Sequence, residues 1–97
     1  MFTSKQRSVL RGLASTITPV AQIGKGGITD NMIESLSAAL NKRELIKITV
    51  LNNADGTVDE YMAELCEKLA AEPVAAIGKK IVIYKRSKDP EAKHIEF

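Results

Sequence analysis

A glycine-rich loop at residues 24–27 has the residue types of a phosphate-binding turn. It follows a short apolar run, reads G-x-x-G with Lys25 at its tip, and leads directly into an amphipathic helical pattern. Glycine adopts positive φ at little cost and lets the backbone approach a ligand closely, while the first N–H groups of a helix are unpaired and carry partial positive charge. These features suit a phosphate group, so RNA or a nucleotide is the first candidate ligand. The residues expected to contact it are Gly24, Lys25, Gly26, Gly27, Ile28 and Thr29.

Two better-known glycine motifs do not fit this loop. The G-x-x-x-x-G-K-[ST] pattern of P-loop proteins is missing. The dinucleotide-binding fingerprint also fails, because Thr29 occupies the position of its third glycine and no acidic residue ends a second strand at the required distance. A G-x-x-G pattern alone is compatible with a plain strand-to-helix turn, and it is the surrounding basic residues that favour a phosphate ligand.

The other reactive side chains do not form a catalytic or metal-binding set. The one histidine, His94, lies in a polar C-terminal stretch, and the one cysteine, Cys66, lies on the apolar stripe of a predicted helix, where we expect a small core residue. One cysteine and one histidine cannot complete a zinc site. The glutamates of that helix are expected to be solvated, with Glu64 pairing with Lys68. We therefore expect a non-catalytic protein without a metal or cofactor.

Positive charge is clustered along the chain, although the net charge is only +2. Four glutamates lie between residues 60 and 72, on or next to the third predicted helix, whereas most basic residues fall on the other elements. A chain with segregated charge can present a basic face to a nucleic acid despite a near-neutral total. The basic residues expected to extend a contact with RNA are Lys5, Arg7, Arg11, Lys47, Lys79, Lys80 and Lys85.

Aromatic residues, at 4% of the chain, are too few for a surface that stacks many bases. Tyr61 lies on a helical apolar stripe and is expected in the core, which leaves Tyr84 as the one good candidate for stacking on a base. This scarcity argues against a sheet that reads splayed bases with aromatic side chains. It favours recognition of structured RNA through its shape and phosphates.

The elements that must position these residues alternate between helices and strands. Ile46, Ile48 and Val50 alternate with Lys47 and Thr49, which is the period of a half-buried strand. Helices are indicated by a 3.6-residue apolar period and by residues suited to capping their starts. These are Thr3 or Ser4, Thr29 or Asp30, and Thr57 in a capping box with Glu60. The predicted elements are a helix at 3–14, a strand at 20–23, loop exit and helix at 28–41, a strand at 45–51, a helix from 57 that Pro73 ends, and strands at 74–77 and 80–85 joined by a tight turn at Gly78-Lys79.

The alternation of helices and strands predicts an α/β protein. Helical crossovers imply parallel strand pairs, and the final hairpin adds an antiparallel pair. We therefore predict a two-layer sandwich of order α-β-α-β-α-β-β with a mixed four-stranded sheet. The apolar stripes expected on the three helices are Val9, Leu10 and Leu13; Ile33, Leu36 and Leu40; and Val58, Tyr61, Met62, Leu65, Cys66 and Leu69.

Length and composition predict one soluble domain over residues 1–97, with a polar tail from about residue 87. The chain of 97 residues is 44% apolar and 27% charged, which is ordinary for a globular domain. No apolar run approaches the roughly 20 residues of a membrane span, and the N-terminus lacks the apolar stretch of a signal peptide. A single cysteine suits a reducing compartment, so we expect a cytoplasmic protein.

Several segments together resemble the chloroplast RNA splicing and ribosome maturation domain family, most closely its stand-alone bacterial form, the YhbY-like RNA-binding proteins. The resemblance extends from about residue 3 to residue 86. The segments that carry it are TSKQR (3–7), LRGLA (10–14), PVAQIGKGGIT (19–29), ELIKI (44–48) and IGKKIVIY (77–84), in the family's order. One departure is that Lys85 and then Arg86 follow the final tyrosine, where family members often carry arginine directly.

The resemblance implies a fold similar to the C-terminal domain of bacterial translation initiation factor three, and a function in RNA binding. Bacterial members are linked to precursors of the large ribosomal subunit, and plant relatives bind group II introns. The family's G-x-x-G loop falls on residues 24–27 and its basic first helix on Lys5, Arg7 and Arg11. We therefore expect a monomer whose partner is structured RNA, namely large-subunit ribosomal RNA or its precursor particle, with no DNA and no membrane partner.

The sequence is compatible with three other interpretations. A KH-like domain, which binds single-stranded RNA through a similar loop between two helices, requires that residues 19–23 are not a strand. A protein-interaction module would use the apolar surface of the first helix and leave the glycine loop as a simple turn. A small enzyme acting on a phosphate ligand would need a candidate base, which this sequence does not offer.

Overall fold

Helices and strands alternate along residues 3–87, the part of the chain that this computed structural model describes. The order of elements is the predicted one, and the predicted α/β class is confirmed. The observed elements are α1 (Ser4–Ala14), β1 (Ala21–Ile23), α2 (Asp30–Arg43), β2 (Leu45–Val50), α3 (Val58–Leu69), β3 (Glu72–Ile77) and β4 (Lys80–Tyr84).

A threonine caps the start of each helix in this region. Thr3 and Thr57 form complete capping boxes, in which the threonine oxygen accepts a backbone N–H three residues on, and that residue's side chain accepts the threonine N–H. Thr29 Oγ1 accepts the N–H of Met32 at 3.2 Å. Each cap satisfies a donor that a helix start leaves unpaired. Local sequence therefore determines these helix starts, as predicted.

The four strands form one mixed sheet in the order β1-β2-β4-β3. Strand β1 runs parallel to β2, with Ala21 opposite Ile48, and β4 is antiparallel to both of its neighbours. The turn Gly78-Lys79 joins β3 to β4, and Gly78 has the positive φ of 58° that favours glycine in a two-residue hairpin. The predicted mixed four-stranded sheet is confirmed.

Helices α2 and α3 cover one face of the sheet and form the main core with it. The alternation predicted for β2 is confirmed, because Ile46, Ile48 and Val50 are buried in this core. Tyr61 is buried there as predicted, and its hydroxyl accepts the N–H of Gly56 at 2.9 Å. The other buried members are Ile23, Leu36, Leu40, Leu65, Leu69, Ile81 and Ile83.

Helix α1 packs on the opposite face of the sheet and forms a second, smaller core. Strand β4 has apolar side chains on both faces, so both faces of the sheet need cover. Ile81 and Ile83 enter the main core, whereas Val82 and Tyr84 enter the second one. The predicted two-layer arrangement is therefore extended by a helix on the second face. The second core consists of Leu10, Ala14, Leu45, Val74, Val82 and Tyr84.

Helix α1 buries a narrower surface than its apolar stripe predicts. Leu10 and Ala14 are buried, but Val9 and Leu13 remain 39% and 40% exposed. Residues four apart share one side of a helix, so one pair contacts the sheet while the other turns to solvent. Of the predicted apolar stripe of α1, only Leu10 is therefore buried, and Val9 and Leu13 lie largely outside the core.

Helix α3 ends at Leu69, with Ala70 as its C-cap, whereas the sequence predicts that Pro73 ends it. Ala70 adopts the left-handed conformation, with φ 53°, and its N–H donates to the carbonyl of Cys66. Pro73 lies inside β3, which is an edge strand with an irregular register between Pro73 and Ala75. An edge strand or a bulge accommodates proline because one side of its backbone needs no partner.

Glu44 ties the segment after β4 to the end of α2. Its side chain is fully buried and its φ is 63°. Its Oε2 atom accepts the N–H of Ser87 at 2.6 Å, and its backbone carbonyl accepts the N–H of Lys85 at 2.9 Å. Ser87 Oγ also donates to the carbonyl of Asn41. The residue at which we expected the polar tail to begin is therefore buried, and residues 88–97 lie outside the described part of the chain.

Candidate nucleic-acid interface

The glycine-rich loop is a hydrogen-bonded turn at the end of β1. The N–H of Gly27 donates to the carbonyl of Gly24 at 2.9 Å, which leaves Lys25 and Gly26 at the tip. Gly27 has a φ of 68°, in the left-handed region. A turn followed by a left-handed residue directs successive N–H groups toward one side, and this makes a concave site for an anion.

The three glycines of the loop have different surroundings. A Cβ on Gly24 would lie 3.4 Å from Oδ1 of Asn53 and 3.5 Å from Cδ1 of Leu51, so Gly24 packs against the loop after β2. Gly27 is suited to its position because its φ is positive, a conformation that glycine adopts at little cost. A Cβ on Gly26 would meet nothing within 4 Å, and Gly26 has no positive φ. The surrounding fold therefore gives Gly26 no reason to be a glycine, and its missing side chain leaves the backbone open to an approaching group.

The start of α2 is a weaker anion site than the turn itself. The oxygen of Thr29 already accepts the N–H of Met32, and Ile28 is partly buried against the main core. Asp30 lies in the first turn of the helix, where its carboxylate complements the helix dipole and opposes a second anion. The N–H groups of the turn are the better donors to a phosphate.

Lysines from two separate segments lie at the edge of the sheet that carries the loop. The N–H of Leu51 donates to the carbonyl of Ile23 at 2.8 Å, and the N–H of Val50 donates to the carbonyl of Lys79 at 2.7 Å. The ends of β1 and β2 and the β3–β4 hairpin therefore form one edge, here called the loop edge. It carries the glycine loop at residues 24–27, which includes Lys25, and the hairpin residues Lys79 and Lys80.

The other predicted basic residues lie elsewhere on the surface. Lys47 is half-buried in the middle of β2, opposite Val82, on the face that α1 partly covers. Lys85 is exposed beyond the end of β4, at the edge of the sheet opposite the loop edge. The cations of α1, all exposed, are Lys5, Arg7 and Arg11.

Tyr84 is not available as a base-stacking platform. Its side chain is 7% exposed and packs in the second core beneath α1. Burial raises the pKa of its phenol, and the Glu44 carboxylate raises the pKa further, while a hydrogen bond with Arg86 opposes both. The expectation that Tyr84 stacks on a base is therefore corrected. Both faces of β4 are apolar and buried, and α1 covers the face that carries Tyr84.

Cys66 behaves as the predicted core residue. It packs against the main core, and burial raises the pKa of its thiol, with a smaller effect in the same direction from Glu72. A thiol held neutral is a poor nucleophile. His94 lies outside the described residues. Among residues 3–87 no group of three or more potential metal ligands occurs, and no helix there is long and apolar enough to cross a membrane.

Two surface cavities lie away from the loop edge. The larger, of about 820 Å³, lies between α2 and the segment after β4 and is lined in part by Glu34 and Arg86. The smaller, of about 450 Å³, lies beside the start of β1 and is lined in part by Lys42 and Arg43. Neither lining includes a histidine or a cysteine.

The secondary structure before the loop distinguishes this fold from a KH domain. Residues 21–23 form β1, which pairs with β2 in parallel. A loop that joins a strand to a helix does not have the helix-to-helix setting of the KH loop, so the KH-like interpretation is wrong. The predicted strand is confirmed, although it begins at Ala21 and not at Val20.

Two features of the described structure were not predicted from the sequence, one beside the glycine loop and one just before β2. Asn53 packs against Gly24, and its position two residues after a predicted strand was the available signal. Glu44 is fully buried. The sequence does not indicate this, because a glutamate beside Arg43 at the end of a helix is normally expected to be exposed to solvent.

Comparisons with known proteins agree with this architecture. The family model of the CRS1 / YhbY (CRM) domain matches residues 2–85. The probable RNA-binding protein YqeI of Bacillus subtilis is 44% identical over 96 residues, covering 99% of this chain and 98% of YqeI. An RNA-binding protein of Haemophilus influenzae is 31% identical over 88 residues, covering 91% of this chain and 89% of that protein.

A solved structure shares the fold. The solution structure of the hypothetical protein SAV1595 from Staphylococcus aureus superimposes with a TM-score of 0.69 at 45% identity, covering 98% of this chain and all of that one. Its match extends over the same elements that carry the G-x-x-G loop and the hairpin. The sequence, the fold and these relatives agree, and the chain belongs to the CRS1 / YhbY (CRM) domain family.

Proposed function

We propose that this chain is a non-catalytic RNA-binding protein that holds structured ribosomal RNA during assembly of the large ribosomal subunit. The observation that carries the proposal is the loop edge, which carries an open glycine turn with Lys25 at its tip and, across β2, the hairpin residues Lys79 and Lys80. Two relatives named as RNA-binding proteins support RNA as the ligand.

The turn would bind one phosphate through its backbone. The N–H of Gly27 is used inside the turn, so the N–H groups of Gly26 and Ile28 are the proposed donors. Lys25 adds a full charge at the tip, and the hairpin lysines hold a neighbouring phosphate. Such contacts position the RNA and carry little sequence information, so discrimination among RNAs comes from their shape and from any contact with bases or riboses.

Binding through phosphates has a measurable salt dependence. If ~4–6 phosphates are contacted, log K falls with log salt with a slope of magnitude about 3–5. Replacing Lys25 with alanine removes one phosphate contact, so the slope should fall by about 0.7–0.9 and affinity should fall for all RNA sequences alike.

The test is a titration of folded large-subunit ribosomal RNA fragments at several salt concentrations. The variants are Lys25→Ala and Gly26→Asp, the second of which places a carboxylate where the phosphate would lie. Lys68→Ala is the matched control, because it removes the same charge from α3, where Lys68 is paired with Glu64 at 3.0 Å. We expect the loop variants to weaken binding and the control to bind as the wild type does.

Three results would change the proposal. Equal binding by the wild type and both loop variants would move the RNA site away from the turn. No binding by a folded wild type would contradict the proposal, and recovery of a protein partner would then favour the protein-interaction interpretation. Preference for other RNA over large-subunit fragments would leave RNA binding intact and contradict the role in large-subunit assembly.

We further propose that the protein acts as a monomer in the cytoplasm. Sedimentation at the concentrations used for titration should give the mass of one chain, 10.6 kDa. A dimer that persists on dilution would contradict this part.

A further inference from the structure

One part of the sheet's second face is left uncovered by α1. Four residues lie there in a line across all four strands, here called the transverse row: Gln22 in β1, Thr49 in β2, Lys80 in β4 and Ile77 in β3. The pairing is direct, since Gln22 lies opposite Thr49, Thr49 opposite Lys80, and Lys80 opposite Ile77. None of the four belongs to the second core.

The row lies on the α1 side of the sheet and borders the loop edge. Thr49 alternates with Ile48 and Val50, whose side chains enter the main core on the other side. Gln22 is separated from the glycine turn by one residue, and Ile77 and Lys80 flank the hairpin turn. Because neighbouring strands lie about 4.8 Å apart, the row spans roughly 14 Å. It is therefore continuous with the proposed phosphate site.

The side chains of the row differ from those of a surface that merely faces water. Ile77 is 54% exposed, the largest value among the exposed large apolar residues. The ammonium of Lys80 donates to Thr49 Oγ1 at 3.1 Å, which fixes a cation on this face and leaves the threonine hydroxyl hydrogen to donate elsewhere. Gln22 is exposed and offers both an amide donor and an acceptor. None of the four is acidic.

We propose that the transverse row binds the ribose and base of an RNA nucleotide whose phosphate is held at the loop edge. This inference rests on the proposed function and extends it from phosphate binding to nucleotide recognition. Gln22 and Thr49 supply hydrogen bonds to the 2′-hydroxyl of the ribose, Lys80 supplies charge, and Ile77 supplies an apolar surface against the base. The row thus provides a means to distinguish RNA from DNA that phosphate contacts alone do not.

The test compares binding of one RNA fragment and the DNA of the same sequence. Three variants remove the proposed contacts without changing charge and with little disturbance of strand structure: Gln22→Ala, Thr49→Val and Ile77→Thr. Each should bind RNA about 3- to 10-fold more weakly, the range expected for loss of one hydrogen bond or apolar contact. Gln22→Ala and Thr49→Val should change binding to DNA little, so their RNA-to-DNA affinity ratio should fall. Ile77→Thr removes a contact with the base, so it should weaken binding to RNA and DNA alike. The salt slope should stay that of the wild type, because no phosphate contact is lost.

Ser35→Ala, on the exposed side of α2, is the matched control and should leave both affinities unchanged. Lys25→Ala should reduce the salt slope and leave the RNA-to-DNA ratio near that of the wild type. If Lys25→Ala weakens RNA binding but Gln22→Ala and Thr49→Val keep the wild-type ratio, the inference is overturned and the proposed function stands. An equal loss of RNA and DNA affinity in Gln22→Ala and Thr49→Val also overturns it. Absence of RNA binding by the wild type overturns both.

Discussion

The two faces of the sheet are covered differently, although the same four strands supply both. On the main-core face, α2 and α3 cover apolar side chains along the whole of β2, from Ile46 to Val50. On the second face, α1 covers Leu45 and Val82, and beyond it the sheet ends in the transverse row of polar and exposed residues. Charge differs as well, with glutamates on α3 over the first face and Lys47 and Lys80 on the second.

This difference shows how a small fold leaves a polar surface next to a core. One helix with two buried residues, Leu10 and Ala14, cannot cover a four-stranded sheet. The uncovered part must then be stable in water, which polar side chains allow. Because it adjoins the glycine turn, it can also contact what the turn binds. On the main-core face, α2 and α3 leave no comparable row of polar strand residues along β2.

The largest effect is expected from neighbouring residues of β2 that point to opposite faces. Ile48→Ala removes a fully buried side chain from the main core and should lower the free energy of unfolding by about 2–5 kcal/mol. Thr49→Val, one residue on, should change it by about 0.5 kcal/mol or less. Urea unfolding followed by circular dichroism measures both. Similar losses for the two variants would show that the second face is as tightly packed as the first.

An intermediate effect is expected in the glycine turn. Gly27→Ala forces an alanine into a φ of 68° and should cost about 1–2 kcal/mol of stability. Gly26→Ala has ordinary φ and open space, so its stability should match or slightly exceed that of the wild type. Thermal or urea unfolding separates the two. If both variants were equally destabilised, the assignment of separate roles to these glycines would be wrong.

The smallest effect concerns pH and the second core. The phenol pKa of Tyr84 is raised in the folded state, chiefly by burial, so the unfolded chain releases this proton at lower pH than the folded one. The resulting stability is complete below the unfolded pKa of about 10 and is lost as pH rises through the folded pKa. Unfolding measured between pH 8 and about 11.5 should show a steeper decline for the wild type than for Tyr84→Phe.

The raised pKa of the Cys66 thiol acts in the same direction, so the Tyr84→Phe variant should keep part of the alkaline decline. A Tyr84→Phe variant whose stability falls as steeply as that of the wild type would show that the phenol is not responsible. Near-ultraviolet absorbance of phenolate, recorded in the same titration, identifies the group that ionises.

Much of the fold followed from patterns that act over a few residues. The cap at Thr57 and the strand alternation of β2 were predicted correctly, and the caps Thr3 and Thr29 were each one of two predicted residues. Caps and side-chain periods can be predicted because they depend on near neighbours. Pro73 was misread because a proline can end a helix or lie in an edge strand, and the position of β3 at the edge depends on strands distant in sequence. Tyr84 was misread for the same reason.

The sequence by itself determined the elements, their order, the turn at residues 24–27 and the family. Only the tertiary structure decided that α1 covers part of the second face, that Glu44 and Tyr84 are buried, and that the loop and hairpin lysines share one edge. The physical reason is the range of the interactions. Helix caps, turns and periodicity are set within a few residues, whereas strand order and burial arise from contacts between segments far apart in the chain, whose pairing no local pattern encodes.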